Sequence, residues 1–143
     1  MATTQAVEAP TGRKDPVFSI DPKQIEAKGR QIGVVVGNRL CPGAIARLKK
    51  GTSPRGAGFE ELRRLARDYC SKDPDFLSPR LPVLEAAFRL LLASPQNQLS
   101  LSDILQQLTE IWITASWPRH ISQEALERVL RGPNEYGILV ADE

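Results

Sequence analysis

The stretch from residue 81 onward constrains the fold more than any other part of the chain. Three segments in it, 81–94, 101–114 and 122–131, carry apolar residues at helical spacing, and a β-rich stretch, 136–141, follows them. The repeating positions are Leu84, Ala87, Phe88 and Leu91 in the first segment, then Leu101, Ile104, Leu105, Leu108, Ile111 and Trp112 in the second. Side chains three and four apart share one helix face, so each segment needs a neighbour to cover that face. Ser100 and Asp103 form a capping box, and Leu99, one residue before the cap, faces Ile104 as a hydrophobic staple. Ile121, Ser122 and Leu126 repeat the device for a third helix, whose expected buried stripe is Ala125, Val129 and Leu130. Gly132, Pro133 and Asn134 stop that helix. The strand over 136–141 finds a short partner in Gln98 and Leu99.

Upstream the pattern is looser. Residues 1–16 are polar and aperiodic and read as a disordered arm. Asp21-Pro22-Lys23-Gln24 opens a helix with a cap, a first-turn proline and a glutamine that reaches back. Two continuations stand side by side. In one the helix runs to Leu40 and stacks Gly29, Gly33 and Gly37 on one face, a surface for self-association, although each glycine weakens a helix by roughly 0.8–1 kcal/mol. In the other it ends at Gly29 and residues 32–36 form a short buried strand. Pro42 opens a further short helix, residues 51–58 are loop, and a helix over 59–71 repeats apolar residues at 59, 62, 65, 66 and 69 with its arginines outward. Three prolines make 72–82 a linker. The expected organisation is an arm (1–16), a basic helical N-terminal region (17–76) and a C-terminal domain (77–143).

A chain of 143 residues, 41% hydrophobic, buries one core or one core with a satellite. Nothing approaches about 18 consecutive apolar residues, and the N-terminus lacks the order of a secretory signal, so a cytoplasmic protein with no membrane partner is expected. Cys41 and Cys70 lie 29 positions apart with one histidine, His120, in the whole chain, too few ligands for a zinc set. Two reduced thiols are the plainer reading, a disulfide between them staying open, and no cofactor or metal is expected. The net charge of +2 is unevenly spread: residues 36–76 hold nine basic and five acidic side chains, whereas 77–143 hold five basic and eight acidic. A polyanion would meet the middle of the chain first.

The order of elements over 81–141 resembles the winged helix-turn-helix superfamily. The residues that carry the resemblance are Ala87-Phe-Arg-Leu-Leu-Leu-Ala93 as the opening core helix, Leu99-Ser-Leu-Ser-Asp103 entering the second, Ile121-Ser-Gln-Glu-Ala-Leu126 entering the third, and Tyr136-Gly-Ile138 in the strand. The chain departs from the family in a long link over 114–120, with Trp117 and Pro118, and in ending at Glu143, early for a two-stranded wing. The resemblance implies a mainly α fold with a winged-helix-like C-terminal domain whose third helix faces a partner, in DNA binding and transcription regulation or in protein–protein interaction.

On that reading the third helix presents Gln123, Glu124, Glu127, Arg128 and Arg131. Duplex DNA carries two phosphate charges per base pair, so Glu124 and Glu127 argue against deep insertion into a groove. The bland account makes them i,i+4 salt pairs with Arg128 and Arg131, each worth about 0.2–0.5 kcal/mol. Phosphate contacts would fall to Arg39, Arg47, Lys49, Lys50, Arg55, Arg63, Arg64 and Arg67, whose bland account is a solvated surface. Trp112 suits the core, while Trp117 suits an exposed anchor for a protein partner. The 51–58 loop lacks the Gly-Lys-Ser/Thr ending of a phosphate loop. Cys41, at a helix start, reads as a buried structural thiol before it reads as a reactive one. No set of residues forms a catalytic pattern. The expected function is a small non-enzymatic regulatory or accessory protein binding nucleic acid through 39–67, or alternatively a protein-interaction module using the third helix and Trp117.

Overall fold

In a computed structural model of the protein, residues 15–48, 57–73, 75–115 and 119–141 are described. The described residues are mainly helical, about 53% of them, with a small three-stranded antiparallel sheet. Its elements are β1 (Val17–Ile20), α1 (Pro22–Ala27), α2 (Ile32–Gly37), α3 (Pro42–Ile45) and α4 (Phe59–Leu65), which runs into a π-helical turn (Ala66–Cys70). They continue with α5 (Val83–Ala93), β2 (Gln98–Ser100), α6 (Leu101–Ile113), α7 (Gln123–Arg131) and β3 (Ile138–Val140).

Helix α5 lies at the centre. Glu85, Ala86, Ala87, Phe88, Leu90, Leu91 and Leu92 are all buried, a helix covered on nearly every side. Its neighbours are β1, α4, the π turn, α6 and α7. The caps expected at the C-terminal helices are present: Ser100 Oγ accepts from Asp103 N and Ser122 Oγ accepts from Ala125 N, both at 3.1 Å. The inner stripe of α7 differs from expectation by one position. Leu126 and Leu130 are buried, whereas Ala125 and Val129 are only half-buried.

The sheet corrects the expected pairing of 98–99 with the C-terminal strand. Its order is β2-β1-β3, so β1 stands between the two and pairs antiparallel with both. Phe18 faces Leu99 on one side and Val140 on the other. Phe18 and Ile20 point into the core while Val17 and Ser19 are half-buried, the period-two pattern of a strand with one face covered. The central strand has both of its own edges paired and gives each neighbour one paired edge, so β2 and β3 are the edge strands. Asp15 and Pro16, expected in the arm, are tied to the start of α6. The Asp15 carboxylate accepts from Ser102 N and Oγ, and Pro16 O accepts from Leu101 N. Residues 1–14 lie outside the described residues.

Between Asp21 and Leu40 the chain combines both expected continuations. Asp21 caps α1 by accepting from Lys23 N, and the chain turns away from α1 after Lys28 at Gly29, whose φ of +79° suits a residue without a Cβ. Yet 32–36 is helix, not strand. Gly29 and Gly33 therefore do not share a helix face, and Gly33 is buried within the molecule, which removes the expected glycine-stacked surface for self-association. The helix expected over 59–71 widens at Ala66, where Ser71 N donates to Ala66 O five residues back. One extra residue in the turn rotates the positions after it, so Cys70 is fully buried and Tyr69, expected inside, is half-buried.

Candidate functional site

The basic block does not form one cationic face. Arg39, on the turn after α2, is half-buried and bidentate to Glu85 of α5, through Nε at 2.9 Å and Nη2 at 2.8 Å. Its guanidinium also donates to Val35 O and lies over the rings of Phe88 and Tyr136. Arg63, expected on the outer face of α4, is 5% exposed. It donates to Glu60 Oε1 and to the carbonyl of Ser94, closing the C-terminal end of α5. Neither is free to hold a phosphate. Arg47 is exposed with its guanidinium 5.2 Å from the Tyr69 ring centroid, Arg64 is exposed, and Arg67 pairs with Asp68. Lys49, Lys50 and Arg55 lie outside the described residues.

The cluster of ionisable groups that sequence reading missed is centred on Glu85. Its carboxylate accepts from Arg39, from Arg89 Nε at 2.9 Å and from the Tyr136 hydroxyl at 3.0 Å. Burial alone would raise this carboxyl, but the hydrogen bonds and charges of Arg39 and Arg89 outweigh it and hold Glu85 at about 2. Burial, then the charge of Glu85, pushes the Tyr136 hydroxyl up. Four donors occupy the two carboxylate oxygens, so the group is saturated and joins α2, α5 and the approach to β3. The Glu85–Arg89 spacing was the one local signal for it.

On α7 the outward residues are Gln123, Glu124 and Arg128, all exposed, with Glu127 and Arg131 joined at 2.8 Å as the expected i,i+4 pair. Arg131 also lies over the Phe18 ring. Carboxylates and guanidinia alternate, and no single-sign field results. Trp117 lies outside the described residues. Trp112 is fully buried, as its helical position implied, and donates from Nε1 to Leu77 O at 2.9 Å, with the Arg119 guanidinium over its ring at 4.8 Å.

The C-terminal half of α6 departs from expectation in a way that bears on function. Ile111, expected in the buried stripe, is 38% exposed, and Ile113 is 65% exposed. Ile111 rims a groove of about 240 Å³ lined by Leu77, Leu90, Ala93, Pro95, Leu99 and Gln107. A second groove, of about 170 Å³, meets the first at Ile111, Leu77 and Phe76 and continues to Lys72 and Asp73. The first groove is walled mainly by apolar side chains, with Ser71, Ser94 and Gln107 among them, and the second carries charged groups at one end.

No protein-family model, curated protein or solved structure matches this chain. What the fold defines is a class of architecture, a mainly helical protein with a small antiparallel sheet. Among the described residues no helix is long and apolar enough to cross a membrane, and no group of His, Cys, Asp or Glu is arranged to hold a metal ion.

Proposed function

We propose that this protein is a non-enzymatic accessory module on a winged-helix-like scaffold, and that it binds a protein segment through the apolar groove beside Ile111. The order α5, β2, α6, α7, β3 supports the scaffold, with β1 taking the place of a wing partner in the sheet. The observation that carries the function is Ile111, 38% exposed on the rim of the groove in a protein whose other large apolar side chains, Ile45 and Ile113 apart, are covered among the described residues. An exposed apolar side chain on the rim of a groove offers a partner's leucine or aromatic residue a place to leave water. Saturation of Glu85 by its four donors supports a structural role for this buried ionic cluster, which has no lone pair left for a substrate.

Nucleic-acid binding is the second reading, favoured by the exposure of Arg47 and Arg64. It is weakened by the internal pairing of Arg39 and Arg63 and by Glu124 and Glu127 on α7. Crosslinking in native lysate with and without nuclease separates the two readings. The expected complex survives nuclease, disappears in Ile111→Asp and persists in the Arg47→Ala, Arg64→Ala double variant. A complex lost with nuclease and with the arginine pair, together with salt-sensitive retention of a labelled duplex, would transfer the function to nucleic acid. Binding indifferent to Ile111 would reject the groove.

A further inference from the structure

Cys41 precedes α3 and Cys70 ends the π turn, and neither is in a disulfide. Packing of α3 on the π turn brings Cys70 Sγ to 3.1 Å from Cys41 Sγ, and the backbone N–H of Cys41 donates to Cys70 Sγ at 3.0 Å. The two thiols are not equivalent, because Cys70 has no exposed surface whereas Cys41 is partly exposed. Neither belongs to the groove or to the Glu85 cluster.

From this juxtaposition we propose that Cys41 and Cys70 are a redox-modification site, converted to an intramolecular disulfide by exchange with a small-molecule disulfide. Cys41, the reachable sulfur, gives its proton to water. Its thiolate attacks one sulfur of the small disulfide, whose S–S bond breaks and whose departing thiolate takes up a proton. Cys70 then loses its proton to water and attacks Cys41 Sγ, forming the Cys41–Cys70 bond and expelling the second small thiol. Two protein thiols are oxidised, and one small disulfide is reduced to two thiols. Burial pushes the Cys70 thiol up to about 12, and Cys41 and Asp73 add to this while the Cys41 N–H opposes it. Cys70 is thus poor as the first attacker and acts once Cys41 carries the adduct. Bond formation needs an approach of about 1 Å, since a disulfide is about 2.0 Å long. The product staples the α2–α3 junction to the end of the π turn, 29 positions along the chain.

The test is incubation of the full chain with oxidised glutathione, then denaturation, alkylation and mass spectrometry. The expected product is a monomer two hydrogens lighter that takes up no alkylating agent and yields a Cys41–Cys70 linked peptide. Its thermal midpoint should rise by roughly 10 °C and return on reduction. Cys70→Ser should stop at a glutathione adduct on Cys41, and Cys41→Ser should carry no adduct while folded. Two alkylatable thiols after prolonged exposure, or a disulfide only between chains, would overturn the proposal. An adduct on Cys70 in Cys41→Ser would overturn the order of attack. Because the readout is covalent, it does not depend on whether the groove beside Ile111 binds anything.

Discussion

Gly137 shows how a single missing atom lets the approach to β3 lie against the start of α1. Its φ is +76°, and a Cβ there would sit 2.7 Å from the Asp21 carbonyl oxygen and 3.0 Å from Ile25. Gly137 O in turn accepts from Asp21 N at 2.9 Å. Gly29 has a similar φ but open space around it. Gly29→Ala should therefore lower stability by about 1 kcal/mol, the backbone term alone, and Gly137→Ala by at least about 2 kcal/mol, as chemical denaturation would measure. Equal losses would mean that the close approach to Asp21 relaxes freely. Glu85 gives the residue scale a pH signature. Its folded value of about 2 lies below the usual 4.5, so the unfolded chain binds the proton more readily between those values. The stability it contributes is present above about 4.5 and is lost as pH falls toward 2. After screening of its partly exposed partners we expect about 1–2 kcal/mol across that window. Glu85→Gln should flatten this part of the stability profile and lower the plateau at neutral pH, because Arg39 and Arg89 lose a charged partner.

At the scale of elements, local signals and tertiary contacts divide the work unevenly. The caps of α6 and α7 are local. Ser100→Ala and Ser122→Ala should each cost about 1 kcal/mol, and, since each satisfies a separate helix, the double variant should approach the sum in urea titrations. A double variant no worse than either single one would show that the two helix starts are coupled. β1 is the opposite case: four residues with two core side chains are too short to stand out by period, and its partners lie about eighty positions or more away. Phe18→Ala, which empties a fully buried site in the central strand, should lower stability by about 3–4 kcal/mol. The π turn belongs here too. One extra residue decides that Cys70, not Tyr69, faces inward, and period counting assumes that no such residue is inserted.

For the whole molecule, the buried residues form one cluster that runs from Phe18 and Ile25 through Val36, Leu62 and Leu91 to Leu130 and Ile138. A fragment of residues 77–143 lacks β1, Ile25 and α4, so it should show no cooperative thermal transition by circular dichroism, whereas a chain starting at residue 15 should keep one. A sharp transition in the short fragment would mean that the C-terminal helices hold a core of their own. The sequence by itself determined the C-terminal helices, their caps, the stop at Gly132 and the β character of the tail, because those follow from neighbours within one or two turns. It also marked Trp112 for the core. Only the tertiary structure decided that β1 divides β2 from β3, that Arg39 and Arg63 turn inward, that Ile111 stays exposed, and that two cysteines meet. Each of those depends on which distant surface arrives at a given side chain, and spacing along a chain carries no record of that.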